Sequence, residues 1–391
     1  MKTYASPPLR TLLGPGPSMV HPRVLRALSM PLVGHLDPAF LDIMEESKRL
    51  LRAVFQTQNE LTIPISGTGS AGMEACLVNL IEPGDEVIVG VNGVFGTRMT
   101  DIVGRCGGTV VKVEAPWGRI IDPADIAAAL KRSKAPKLVV VVHAETSTGA
   151  WQPLDDISTL THAAGALFAV DAVTSLGGCP VRLDEWSVDA CYSGTQKCLS
   201  CPPGLSPISF SPRALDALKR RKTKVQSWYL DLTMIAQYWG EERVYHHTAP
   251  ISMNYALLEA LRLVDEEGLE ARWRRHERNH RALKAGLAAI GIELASQEGH
   301  QLWMLNSVRI PDGVDDAAVR RALLDEFSIE IGGGLGALKG KTWRIGLMGE
   351  SSTAANVLTV LSALEQLLPR HGYRVTAGAA VAAASGVYAK P

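Results

Sequence analysis

The sequence has no surplus of charge of either sign. Lys+Arg and Asp+Glu are both 40 in 391 residues, a formal net charge of +0. Without a basic excess there is no electrostatic footprint for nucleic acid or for an anionic membrane surface. Small molecules or another subunit are the expected partners. Long hydrophobic runs are also missing: no stretch approaches the roughly 20 apolar residues of a membrane span. Met1 to Pro8 lacks the basic region and apolar core of a secretory signal. Cysteine is sparse, six in all, too dilute for a disulfide scaffold, so a reducing compartment and a cytoplasmic protein are expected. Cys198 and Cys201 have a C-x-x-C spacing. No second Cys or His pair stands at a zinc-site distance, and both are expected as packing thiols. No internal repeat or low-complexity linker is visible.

What is there is enough chain for one large domain and a smaller one. Asp37-Pro38 signals a helix whose apolar residues Phe40, Ile43, Met44, Leu50 and Leu51 keep a 3.6-residue period. From Gly84 to Gly177, β-branched apolar runs alternate with helical patterns, after a first strand-like run at Leu61 to Ile65. Strands apolar on both faces, separated by helices, predict a mostly parallel sheet covered by helices, an α/β fold. Ligands in such sheets bind beyond the carboxyl ends of the strands. Beyond Leu269 the order changes to an α+β pattern, with a charged helix at 269–290 whose Arg272, Arg274, Arg275 and Arg278 are expected on a solvated face. The Ala/Gly-rich stretch from Ala377 to Pro391 has little apolar bulk, which predicts a tail that is mobile or laid on the surface.

The candidate functional residues sit at strand ends and turns. Lys197, in Ser193-Gly194-Thr195-Gln196-Lys197, follows a strand-like run. It reads either as an exposed loop lysine or as a reactive amine. Asp171 ends the run Phe168-Ala169-Val170. Such an aspartate is a turn former, or else a buried carboxylate that needs a cationic partner. Ser66-Gly67-Thr68-Gly69-Ser70-Ala71-Gly72 opens directly into a helix. Exposed backbone N–H groups and the positive end of the helix dipole suit a phosphate there, although glycines before a helix also serve as plain turn chemistry. Arg344, inside the short strand Trp343-Arg344-Ile345, needs either a structural carboxylate or the carboxylate of a substrate. His246 and His247 are adjacent, and neighbours on extended chain point to opposite sides, which disfavours a metal.

Taken together, a phosphate-type turn, a carboxylate, a lysine and a late arginine match the needs of pyridoxal 5′-phosphate. An amine must join its aldehyde, a carboxylate must keep the pyridine nitrogen protonated, and an arginine must hold the amino acid's carboxylate. The segments LLGPGPS, VFQTQN, SGTGSAGMEA, LVNLIEPGDEV, ETSTGAWQPLD, VDAVTSLGG, YSGTQKCLSCPPG, YHHT, IEIGGGLG and WRIGLMG follow one another along nearly the whole chain. On these the sequence resembles the alanine-glyoxylate (serine-pyruvate) aminotransferase family, class V of the fold type I pyridoxal phosphate enzymes.

The resemblance implies roles residue by residue. Lys197 is the Schiff-base lysine and proton shuttle, and Asp171 pairs with the pyridine nitrogen. Phe95 stacks on the ring where the family commonly has Trp. Thr68, Gly69 and Gln196 bind the phosphate; Ser70 stands where some members carry His. Thr146 stands where a Ser is familiar, near the cofactor and substrate. Arg344 binds the substrate carboxylate and Gly16 lines the small pocket. Tyr245 and Thr248 reach the phosphate of a neighbouring subunit, which makes the enzyme a homodimer. The implied reaction moves the amino group of alanine or serine to glyoxylate or pyruvate by a ping-pong course. (S)-Ureidoglycine–glyoxylate and pyridoxamine–pyruvate aminotransferases share the scaffold. Tyr245 stands where the former is expected to have Asn, and the Thr68 hydroxyl suits a phosphate that the latter does not need. Class V cysteine desulfurases need a catalytic cysteine in a late loop, and Gly332 to Gly336 contains none. The implied layout is an N-terminal arm at 1–20, a large cofactor-binding domain at 21–270, a smaller C-terminal domain at 271–375 and a tail at 376–391.

Overall fold

A computed structural model describes residues 7–390; the first six residues of the expected arm and Pro391 lie outside the described residues. At the centre is a seven-stranded sheet. Its order is Leu61–Ser66, Leu205–Phe210, Ala190–Tyr192, Leu167–Asp171, Pro136–Val142, Glu86–Val91, Thr109–Glu114. Leu205–Phe210 is antiparallel to both of its neighbours, and the remaining pairs are parallel. The central strands are apolar on both faces because helices cover both. Ile63, Val89 and Val140 belong to one buried layer, and Ile88, Val139 and Phe168 to the other. The helices begin where chemistry dictates: Asp37 and Asp122 accept backbone bonds from Ala39 and Ala124, each followed by Pro at the first helical position. A short helix at Pro22–Leu28, absent from the sequence reading, is capped by His21.

A second, three-stranded antiparallel sheet places Thr342–Gly346 between Leu305–Arg309 and Gly332–Gly333. Its core holds Val308, Leu323, Trp343, Ile345 and Leu361, together with Leu13 from the other end of the chain. Thr11–Leu12 pairs in parallel with Ile329–Glu330. The start of the chain is thereby stitched into the C-terminal unit before it runs on to the central sheet.

Two expectations are corrected. The tail forms a helix, Ala379–Tyr388, packed on the helices Leu269–Ala289 and Ala354–Leu367, with Ala380 and Ala384 fully buried. Small residues let helix backbones approach closely, so low apolar bulk did not mean low contact; Glu365 fixes the entry by accepting from the Gly378 and Ala380 amides. The arginine cluster is not one solvated face. Arg272 is 1% exposed and donates to Glu267 and to the carbonyl of Cys198, and Arg275 donates to Glu267 and the carbonyls of Gly349 and Ser352. Arg274 does lie on the surface. No helix among the described residues is long and apolar enough to cross a membrane.

Candidate active site

Lys197 lies in the turn that joins Ala190–Tyr192 to Leu205–Phe210, beyond the carboxyl ends of the parallel strands. It is 8% exposed. The sequence left a solvated loop lysine open; the fold removes that reading. The N-terminal segment closes over it: Ser18 donates through Oγ to the Lys197 carbonyl at 2.8 Å and through its amide to the Gln196 carbonyl at 2.9 Å. The Lys197 Nζ donates to the carbonyl of Pro15. Gly16 follows with φ +106, and a Cβ there would sit 2.8 Å from the lysine Nζ. Only glycine fits that contact and that backbone. Burial lowers the pKa of Lys197 to about 8; Arg344 acts in the same direction, while Cys198 and Asp171 oppose it.

Asp171 ends Leu167–Asp171 and is 2% exposed. One carboxylate oxygen accepts from the Val173 amide at 2.8 Å, the other from the Tyr192 hydroxyl at 2.8 Å. Burial pushes its pKa up to about 7 despite these two bonds. Among the described residues no cation bonds to it. Tyr192, which sequence reasoning passed over, stands directly opposite Asp171 in the parallel register. Only that register reveals it, because 21 residues of chain separate the two.

Arg344 is 9% exposed and donates from Nε to the Gly333 carbonyl at 2.7 Å. Its terminal nitrogens make no hydrogen bond among the described residues, and burial lowers its pKa. A Cβ built on Gly332 would lie 3.5 Å from Arg344 Nη2 and 2.7 Å from the ring of Pro15, whose carbonyl takes the Lys197 amine, so the two cations face one place.

The Gly-rich turn also reaches this place. Gly69 begins the helix Gly69–Leu80 and packs against Val173 and Gly194, and Thr68 at the cap position makes no side-chain cap bond. The amide oxygen of Gln196 is buried without a partner. Ser70 accepts from Arg98, whose guanidinium carbon lies 5.1 Å from the centroid of the Phe95 ring. Arg98 is a further residue that sequence reasoning missed; it lies one helical turn beyond Phe95, a spacing that could have drawn notice. Thr146 is buried at the strand end past His143. Tyr245 and Thr248 are the exception. Both are exposed, their hydroxyls 3.5 Å apart, and neither bonds to the Lys197 group in this chain. Cys198 and Cys201 are fully buried, and burial holds both thiols far above the usual range.

Residues 14–354 match the family model described as aminotransferase class-V. The chain belongs to the class-V aminotransferases. The crystal structure of a ureidoglycine–glyoxylate aminotransferase from Bacillus subtilis superposes on this aminotransferase with a TM-score of 0.97 at 46% identity, covering 99% of this chain and 100% of that one. An alanine–glyoxylate aminotransferase structure from Nostoc sp. gives 0.92 at 51% identity, covering 94% of this chain and 98% of that one. The alanine–glyoxylate aminotransferase of Drosophila melanogaster is 42% identical over 366 residues, 92% of this chain and 93% of that one. The expected family and α/β fold type are therefore shown, and the cofactor of this class-V aminotransferase is pyridoxal phosphate.

The residues present fit that cofactor. Asp171 is a buried carboxylate lacking the cation that a protonated ring nitrogen provides. The orphaned Gln196 amide can turn its NH2 to a phosphate beside the amides that open the Gly69–Leu80 helix. Lys197 supplies an amine close to neutrality.

Proposed function

We propose that the enzyme moves the amino group of a small L-amino acid, alanine or serine, to glyoxylate or pyruvate in two half-reactions at one site. The observation that carries this reading is the convergence of a guanidinium with free terminal nitrogens, Arg344, and a buried amine, Lys197, in one place beside Pro15. A substrate carboxylate on the free nitrogens of Arg344 brings its Cα beside the lysine. Bound pyridoxal phosphate supplies the carbonyl that receives the amino group and the ring that takes up the electrons of the broken Cα–H bond. Lys197 Nζ would take the Cα proton and hand it to the cofactor carbon that carried the carbonyl; a pKa of about 8 keeps part of the amine neutral at physiological pH. Asp171 holds the proton of the ring nitrogen. Thr68, Gly69, Ser70 and Gln196 take the phosphate, Phe95 stacks on the ring, Thr146 lies beside it, and Gly16 keeps the substrate pocket small.

Tyr245 and Thr248 serve the phosphate of a second copy, so the working enzyme is a homodimer. The exposure of both, alongside exposed Trp228, Tyr229 and Val244, supports this. Six free, buried thiols accord with a cytoplasmic location.

A second reading, transfer from (S)-ureidoglycine to glyoxylate, is supported by the likeness to the Bacillus subtilis structure. A panel of L-alanine, L-serine and (S)-ureidoglycine, each with glyoxylate and with pyruvate, separates the two: the highest kcat/KM with alanine or serine is expected, and a clear preference for ureidoglycine selects the second. Lys197→Ala should keep the fold and lose both turnover and the visible absorbance of lysine-bound cofactor. Wild-type turnover in that variant would sink both readings.

A further inference from the structure

The helix Val94–Arg105 carries Phe95 one residue past its start, and its cap residue is Gly93, which has no side chain to receive the first helical amides. Those amides are received from a different part of the chain. Val94 donates to Ser147 Oγ at 3.0 Å, and Phe95 donates to Glu145 Oε2 at 3.1 Å. The Gly96 amide also faces the Glu145 carboxylate and favours its charged form. The other Glu145 oxygen accepts from the Ser147 amide at 3.0 Å and from the Ser147 hydroxyl at 2.5 Å. Glu145 and Ser147 are both fully buried. A buried carboxylate without a bonded cation is costly, and here the donors and the positive helix end replace the cation.

A local cap would be simpler, since Ser, Thr, Asn or Asp at position 93 does that work in other helices. It is ruled out by space: a Cβ on Gly93 would collide with the Glu145 carboxyl and Ser147 Oγ. The helix start is thus fixed to the segment 145–147, whose middle residue is Thr146. Phe95 and Thr146, assigned to the ring and its edge, are held in register with each other by the residues that flank Thr146.

We propose that Glu145 and Ser147 are positioning residues that set Phe95 against the cofactor ring by capping its helix from the neighbouring strand end. The proposal rests on the reading of Phe95 as the ring contact. Neither residue touches the reacting atoms, and their effect passes through Phe95.

The test is Glu145→Gln. An amide keeps one acceptor and turns an NH2 against an N–H donor, so one arm of the cap is lost. In the cofactor-free protein, hydrogen exchange at the Phe95 amide should quicken by about tenfold, the loss of one net hydrogen bond. In the loaded enzyme the visible circular dichroism per bound cofactor should change, and kcat should fall more than KM rises. Val319→Ala, a core change in the C-terminal unit, is the comparison: it should lower the melting temperature without moving either signal. If Glu145→Gln lowers the melting temperature but leaves exchange and dichroism as in the wild type, the proposal is wrong. Phe95→Ala separates the underlying assignment: unchanged dichroism there removes Phe95 from the ring, whereas changed dichroism there with none in Glu145→Gln overturns the cap alone. Should Glu145→Gln not fold, Ser147→Ala carries the same measurements, with faster exchange expected at Val94 and the same null result overturning the proposal.

Discussion

Asp171 has two oxygens and two donors, and only one donor is a side chain. The Tyr192 hydroxyl is therefore the removable half of the support that keeps this buried carboxylate from rising further than about 7. Tyr192→Phe leaves the ring and its packing and deletes that bond, so the carboxyl holds its proton to higher pH. A protonated Asp171 no longer answers the charge of a protonated ring nitrogen. Cofactor affinity should fall about tenfold near neutral pH, about 1.4 kcal/mol. The gap should persist at lower pH, where both proteins must release the Asp171 proton on binding, and should close at higher pH, where both carry Asp171 ionised. Cofactor titrations across pH 5.5 to 8.5 check it, and equal affinities at neutral pH would refute the role. At this scale the sequence was informative about chemistry and silent about partners. Lys197, Asp171 and Arg344 stood out by residue type and position along strand-like runs. Tyr192, Glu145, Ser147 and Arg98 did not, because each acts across a register or a helix end that exists only after the strands pair.

The helix Leu269–Ala289 shows what that blindness costs at the level of elements. Its arginines look alike in sequence, yet their directions around the helix differ. Arg272 points into the junction, binding Glu267 at 2.5 Å and the Cys198 carbonyl at 2.6 Å, one residue past Lys197. Arg275 binds the carbonyl of Gly349, in the turn that follows the Arg344 strand, and Gly349 donates its amide to His276 at 2.9 Å. One helix thus braces the loop of the lysine and the strand of the arginine at a fixed separation. Burial alone would raise Glu267; its bonds to Arg275 and Arg272 outweigh that and hold it near 2. Arg272→Met keeps the apolar stem and leaves Glu267 with Arg275 only. It should cost about 3 kcal/mol in urea unfolding, the lower end for a broken buried pair, and should weaken cofactor retention. Arg274→Met, on the surface, should leave the unfolding midpoint where it is; equal effects from the two variants would refute the brace. The alternating pattern was read correctly over most of the chain, because β-branched runs between capped helices have few other solutions. The tail was misjudged because alanine contributes little area yet permits close helix contact, and the pairing of Thr11–Leu12 with Ile329–Glu330 was hidden by the length of chain between them.

For the molecule as a whole, buried histidines set the acid limit. His143, His276 and His280 lie in three different settings, yet burial lowers their pKa values to about 3, 3 and 4. His276 shows why protonation is resisted. Its Nδ1 lies 2.7 Å from the Arg272 carbonyl and must donate, while its Nε2 accepts from the Gly349 amide, so a second proton would face a donor. A base held neutral by the fold but free to charge in the unfolded chain stabilises fully above its ordinary pKa of about 6.5 and loses that contribution as pH falls through the folded value. Asp171 works in the opposite direction in the cofactor-free protein. Its raised pKa contributes stability below about 4 that is lost as pH rises through about 7. Buried Glu145, raised by the same cause, adds to that side. Lowered carboxylates such as Glu267 add to the histidine side at still lower pH. With three histidines against two carboxyls, the unfolded state takes up more protons between pH 6.5 and 4.5, and stability should fall throughout that interval. His276→Gln removes one of those protons, so the slope of unfolding free energy against pH should flatten by about 1.4 kcal/mol per pH unit in the lower half of the window. Urea unfolding of the cofactor-free protein at half-unit steps from pH 4.5 to 7.5 measures both slopes. A His276→Gln slope identical to the wild type would show that this histidine already carries its second proton in the fold, and the bond pattern around it would have to be reversed.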